Sequence, residues 1–424
     1  MVGSSSPGKE RESMKSIKFL FLPVILASTL VVFLPGPLAA AQTPYGLGIA
    51  LGLSGTGASY SREAVEAVEI AVDEINAAGG LLGRHPIQLF IRDTQTDPEI
   101  AEQVVRRLIE EQEVRCIIGT YSSACAMAIK PICRKHKVLH IATISNSEDL
   151  TKFDFSPYTF SVVPNTYMMA KGLVLGVSKI AAEKGWERYA TIASDYAWGR
   201  SSQQIQVELL KQVAPGLVLV GDYWPPLGQT QFNVFIVAMM AQKPEFVLGT
   251  IGGVDNEYFM RDARDYRFFK NVAYPGGLIS VSELIRQATS IRRGRYGRCR
   301  APFFAHMEVP IMSRFVGVYR SKHDRYPSDW AVMTYDGLHI LKQGIEKAES
   351  MESERVKEAL RGGVVHTCRG DLFFRRVDNQ LSCSAYFGKV ADDPRYPMPV
   401  YKELIESKGP DIWRPEAEIR AARQ

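Results

Sequence analysis

The residue types best suited to chemistry lie in short loops, each following an apolar run. They are Gly52-Leu53-Ser54-Gly55-Thr56-Gly57-Ala58-Ser59-Tyr60, Gly119-Thr120-Tyr121-Ser122-Ser123, Thr143-Ile144-Ser145-Asn146-Ser147, Asp195-Tyr196-Ala197-Trp198-Gly199-Arg200 and Gly252-Gly253-Val254-Asp255. Hydroxyls and backbone N–H groups at helix N-termini hold an anionic group without a metal. Aromatic side chains can then cover the ligand. The expected ligand contacts are Tyr60, Ser122, Ser123, Ser145, Asn146, Trp198 and Asp255. Each also has a plainer reading. Ser123 fits a helix N-cap, Tyr60 and Trp198 fit packing aromatics, Asn146 fits a turn former, and Asp255 fits an ordinary loop acid.

Covalent and cofactor chemistry find little support. Gly55-Thr56-Gly57 is not G-x-G-x-x-G, and no G-x-x-x-x-G-K-[ST] occurs to cradle a nucleotide. No G-x-S-x-G presents a serine nucleophile. His85, His136, His140, His306, His323, His339 and His366 are scattered singly, without H-E-x-x-H or paired C-x-x-C motifs. No enzyme activity, cofactor or metal is expected.

Elements that position such loops recur along the chain. Tyr45 to Leu53 reads as a strand, and Arg62 to Ala78 as a helix with Ala64, Val65, Ala67, Val68, Ala71, Val72 and Ile75 on one stripe, stopped by Gly79-Gly80. Strand Ile87 to Arg92 follows, then a helix that Asp97 caps and Pro98 opens. Strand Cys116 to Gly119, helix Ala124 to Lys135 and strand Val138 to Thr143 complete a doubly wound α/β lobe. The alternation restarts with helix Thr166 to Lys184 and runs to strand Phe246 to Thr250, a second lobe of the same design. Helices Met307 to His323 and Tyr335 to Ala348 precede a β-like tail too short for a third domain, so the chain is expected to cross between lobes more than once.

Hydrophobic residues at 46% and charged residues at 23% describe an ordinary globular protein. The net charge of +5 has one concentrated source, Arg292-Arg293-Gly294-Arg295-Tyr296-Gly297-Arg298-Cys299-Arg300, which reads as a solvated loop or partner-facing patch. No nucleic-acid partner is expected. Lys15 and Lys18, the apolar run Phe19 to Leu34, and Leu38-Ala39-Ala40-Ala41 have the order of a signal peptide cleaved before Gln42, with Met14 as an alternative start. A membrane anchor is the competing reading, but the run is short for a spanning helix. Six cysteines fit an oxidising compartment. Cys368 and Cys383 flank a hairpin-like stretch and are the candidate disulfide; Cys125 and Cys133 lie about 12 Å apart along one helix, too far to bridge.

Ile70-Ala71-Val72-Asp73-Glu74-Ile75-Asn76-Ala77-Ala78-Gly79-Gly80 with Leu82-Gly83, the Asp93 to Asp97 turn, Ile117-Ile118-Gly119, Ser122-Ser123 and Tyr335-Asp336 resemble the type I periplasmic solute-binding proteins, in their leucine/isoleucine/valine-binding and amide-binding branch. The resemblance implies two doubly wound lobes joined by a hinge and closing like a clamshell. It implies an extracytoplasmic, monomeric subunit that hands a branched-chain or other amino acid, amide or urea-like solute to the permease of an ABC importer and meets the membrane only there. An exported ligand sensor of the same fold is the alternative. The implied division is signal peptide 1–41, first lobe 42–162, second lobe 163–300, first-lobe return 301–362, and second-lobe return with tail 363–424. By the same resemblance Ser123 holds the ligand's carboxylate with Asn146 behind it, while Tyr60 and Trp198 cover the ligand. Amino-acid binders of this family carry an acid near Tyr274-Pro275-Gly276-Gly277-Leu278, where none stands; Asp255 is the expected substitute. Thr96 and Ser122 occupy positions where the family often has a disulfide.

Overall fold

In the computed structural model, which describes residues 43–275, 279–289 and 291–424, the alternation read from the sequence forms a strand-and-helix framework. The signal peptide expected over residues 1–41 and the glycine noted at position 276 lie outside the described residues. Strands β1 (Tyr45–Leu51), β2 (Ile87–Asp93), β3 (Cys116–Gly119), β4 (Leu139–Ala142) and β5 (Thr159–Ser161) pair in parallel in the order β2-β1-β3-β4-β5. Every β1, β3 and β4 residue is buried, because helices cover both faces of a parallel sheet. The chain then forms β6 (Arg188–Ala193), β7 (Val218–Tyr223) and β8 (Phe246–Thr250), a second parallel sheet ordered β7-β6-β8. It continues through β9 (Tyr296–Cys299), β10 (Val364–Thr367), β11 (Gly370–Arg375), β12 (Gln380–Leu381), β13 (Ala385–Ala391) and β14 (Val400–Ser407).

Local chemistry sets the joints. Asp97 accepts from the Glu99 and Ile100 amides at 2.8 and 3.0 Å and so caps helix Pro98–Glu110, as its position before proline predicts. The Asn76-Ala77-Ala78-Gly79-Gly80 stop works by a staple: Asn76 accepts from the Ile87 amide at 2.7 Å and donates to its carbonyl at 3.0 Å, fixing helix Ala58–Ala77 to the start of β2. Gly80 has φ +80°, and a Cβ there would stand 2.4 Å from the His85 carbonyl oxygen.

The tail departs from its expected place. The sequence places residues from 363 onward in the second lobe, yet β12 pairs in parallel with β5, and β11 and β10 follow antiparallel, so residues 364–381 finish the first sheet. Asp336, on helix Asp329–Ala348, is the reason: it accepts from the Cys368 amide at 2.7 Å and from Arg369 Nε at 2.8 Å, with both side chains buried. Only then does the chain cross back. β13 pairs with β9 and β14 in a small antiparallel sheet, and Phe387 joins the core against helix Thr166–Lys184. The final residues return to the first lobe, where Arg414 donates to both oxygens of Glu148 at 2.7 Å.

The expected Cys368–Cys383 bridge does not form; all six cysteines are buried free thiols. The β11–β12 register pairs Phe374 with Leu381, which sets Leu372 rather than Cys368 across from Cys383. Cys383 Sγ instead lies 3.6 Å from the Leu381 carbonyl oxygen. The basic run is also corrected: Arg292 and Arg293 are exposed, but Arg298 and Arg300 are each only 2% exposed, on and just beyond β9. No helix among the described residues is long and apolar enough to cross a membrane.

Candidate ligand-binding site

The loops at the carboxyl ends of β1, β3, β4, β6 and β8 line one cavity, the position where open α/β sheets place ligands. The loop after β1 makes one 3₁₀ turn, Gly55–Gly57, and delivers Tyr60 from the first turn of the next helix. The Tyr60 ring lies 4.7 Å from Trp330 and 6.0 Å from Tyr121 between centroids. Tyr121 and Ser123 come from the loop after β3, where Ser122 caps helix Ser123–His136. Ile144 and Asn146 follow β4. From the second lobe come Tyr196 and Trp198, with centroids 5.8 Å apart, and Gly252 after β8. Arg300 and Trp330 complete a cavity of about 20 Å³ bounded by all of these side chains.

So narrow a space reflects lobes held against one another. Tyr60 Oη donates to Glu283 Oε1 and accepts from the Gly253 amide at 3.1 Å. Gly253 has φ +62°, and a Cβ there would stand 2.5 Å from the Thr56 carbonyl oxygen and 2.8 Å from Tyr121 Oη. Only glycine permits that approach. Behind the contact, Ser282 donates to Glu63 at 2.7 Å, and Arg286 reaches both Glu63 and Glu283 at 3.1 Å, fastening the crossing helix Val281–Arg286 to helix Ala58–Ala77. Burial and these neighbours act in opposite directions on Glu63, and burial prevails, raising its carboxyl above the usual range.

Of the contacts expected from sequence, Tyr60, Ser123, Asn146 and Trp198 reach the cavity wall. Ser123 Oγ accepts from the Ser147 amide at 3.1 Å, and Asn146 Nδ2 donates to the Pro164 carbonyl at 3.0 Å, so both are held in place by the neighbouring loop. Ser122, Ser145 and Asp255 are buried but are not part of that wall. Asp255 turns to the loop after β7, accepting from the Gly228 amide at 2.8 Å; burial raises its carboxyl to about 6.

Sequence reasoning overlooked Arg300 and Trp330, together with the roles of Tyr121 and Tyr196 inside loops already singled out. Arg300 is the group with the sharpest chemistry. Its guanidinium lies 4.6 Å from the Trp330 ring, and its Nε and Nη1 have no hydrogen-bond partner although the residue is buried. Asp329 is the nearby carboxylate, yet neither of its oxygens accepts a hydrogen bond. Burial, then Glu283 and Glu63, push Asp329 up to about 7 against the opposing pull of Arg300. Burial likewise lowers Arg300. Buried guanidinium donors left without partners are costly unless an acceptor meets them, and the planar fork matches a carboxylate. Arg298, its neighbour on the strand, is different: it braces β8 by donating to the Gly249 carbonyl and Thr250 Oγ1, each at 3.2 Å, and burial lowers it to about 9. Among the described residues no group of three or more His, Cys, Asp or Glu side chains is arranged to hold a metal.

Comparison with known proteins places this geometry in context. Residues 44–394 match a family model described as periplasmic binding protein. A Leu/Ile/Val-binding protein homolog 7 from Brucella suis is 23% identical over 350 residues, covering 79% of this chain and 85% of that one. A solute-binding protein of an ABC transporter from Rhodopseudomonas palustris BisB5, solved with 3,4-dihydroxybenzoic acid, superposes with a TM-score of 0.75 at 20% identity, covering 86% of this chain and 98% of the other. An ABC-type branched-chain amino acid transporter structure from Rhodopseudomonas palustris CGA009 superposes at 0.69, also 20% identical, covering 87% and 98%. At such identities the structural likeness establishes the fold.

Proposed function

This chain belongs to the periplasmic binding protein family, and from that premise we propose that it is the extracytoplasmic ligand-capturing subunit of an ABC importer, specific for a small carboxylate with a flat apolar body. The observation that carries this reading is Arg300, buried with free donors and set among Tyr60, Tyr121, Tyr196, Trp198 and Trp330. The guanidinium takes the carboxylate, and the rings take the body on its faces and edges. Asp255, the expected partner for an α-amino group, gives one oxygen to the Gly228 amide and is not part of the wall, so none of the residues lining the cavity is an acid. That favours acids without an amine, the class named in the structure solved with 3,4-dihydroxybenzoic acid.

Capture follows from closure. A ligand that touches loops of both lobes binds the closed state better than the open one and so shifts the population toward it. A second reading, a branched-chain amino acid, is favoured by the names of the relatives. One panel separates the two: thermal melts of the purified protein with benzoate, 4-hydroxybenzoate, 3,4-dihydroxybenzoate, leucine, isoleucine, valine, urea and simple amides. Stabilisation is about 2.7 kcal/mol at a hundredfold excess over Kd. A shift with the aromatic acids supports the proposal, and a shift confined to the amino acids transfers it to the second reading. If no compound stabilises the protein and one is instead turned over, the binding-protein reading fails.

A further inference from the structure

The second lobe carries another cavity, of about 240 Å³, away from the cleft. Arg264, Arg267, Lys270, Arg292 and Arg295 line it together with Phe269. It adjoins a cavity of about 340 Å³ that shares Phe269, Arg292 and Arg295. We propose that this is a second binding site, for a phosphate-class anion carrying two or more negative charges.

Three observations support the assignment. The cations converge from separate segments, the end of helix Gly253–Asp265, the turn Phe268–Lys270 and the entry to β9, so their proximity is a product of the fold. None of the five forms an ion pair with an acidic side chain among the described residues, and no acid lines the cavity. Arg295 is the centre of the group: half-buried, with its guanidinium 3.5 Å from the centroid of Phe269, it is fixed in orientation by the ring beneath it.

Like charges held together repel, and the cost is relieved by a multivalent anion. The electrostatics show this strain, because burial and then Arg292 and Arg264 depress Arg295 to about 10. One carboxylate satisfies one guanidinium fork. A phosphate offers more oxygens and charge to the several forks present here. Phe269 and Met260 leave an apolar flank for a substituent on that phosphate. The chemistry is common to a soluble phosphate ester and to a phospholipid headgroup.

The test is calorimetry on the whole protein at about 150 mM salt, with inorganic pyrophosphate in one arm and vesicles of phosphatidylcholine with phosphatidic acid, whose phosphomonoester can carry two charges, in the other. Saturable binding in either arm is expected, the soluble arm identifying a free ligand and the vesicle arm a lipid surface. Arg264→Gln with Arg267→Gln should weaken it at least about tenfold, and Arg295→Gln similarly, while melting temperature and affinity for the cleft ligand stay unchanged. A control pair, Arg106→Gln with Arg107→Gln on the exposed face of helix Pro98–Glu110, should leave it intact. The proposal is overturned if neither arm saturates, if binding survives the cavity variants, or if the control pair abolishes it equally. None of these outcomes bears on the cleft.

Discussion

At the scale of single residues, the proposed carboxylate capture depends on Arg300. Arg300→Gln keeps the shape near Trp330 but removes the charge, and should weaken carboxylate binding by about tenfold to a hundredfold, read by calorimetry. Ser123→Ala and Trp198→Ala should weaken it less, without unfolding the protein. Asp329 adds a pH dependence. Its carboxyl sits at about 7, raised by burial, so its neutral form suits the folded state, and that contribution is lost as pH rises through about 7. A carboxylate seated on Arg300 brings further negative charge beside Asp329 and holds its proton on. Affinity should therefore fall as pH rises from about 6 to about 8, by no more than about tenfold per unit. Asp329→Asn should flatten that profile; a profile unchanged in the variant removes Asp329 from the account. Tyr60, Ser123, Asn146 and Trp198 were legible as cavity-wall residues because each belongs to a loop at a strand end. Arg300 was not, since its neighbours Arg292 and Arg293 are exposed and nothing in the run's composition distinguishes an inward arginine from an outward one.

At the scale of elements, the proposed closure rests on the start of helix Gly253–Asp265 meeting the turn Gly55–Gly57. Gly253→Ala should weaken ligand binding sharply, because a methyl group there collides with the Thr56 carbonyl oxygen where the lobes meet, and should also lower the melting temperature, because φ +62° costs an L side chain about 1 kcal/mol wherever the lobes stand. Asp97→Ala should likewise cost about 1 kcal/mol of stability, but with affinity unchanged. The contrast separates helices that hold the fold from those that operate it. Helix caps and parallel strands were readable from sequence, Asp97 before Pro98 above all, because their causes lie within a few residues. The short β5 and β9 were not: three and four residues long, they owe their conformation to partners far away in the chain.

At the scale of the whole molecule, the crossings decide the architecture. Asp336 draws residues 364–381 to the first sheet, a long-range pairing that no local pattern announces. The chain also folds without cross-links, since all six cysteines are free. Thiol titration in denaturant without reductant should therefore count six, the folded protein should react slowly, and reductant should not change the melting temperature. A count below six would restore a bridge. Scattering measurements should show a smaller radius of gyration with ligand than without it.

The position of β12 beside β5 orders events in time. Synthesis delivers residues from the amino end, so the first five strands emerge long before their last neighbours. Until residues 364–381 arrive, β5 presents an unpaired edge, the kind of surface on which chains aggregate. The first lobe is thus the earliest begun and among the last finished, and the interval between is when a holding chaperone has most to offer.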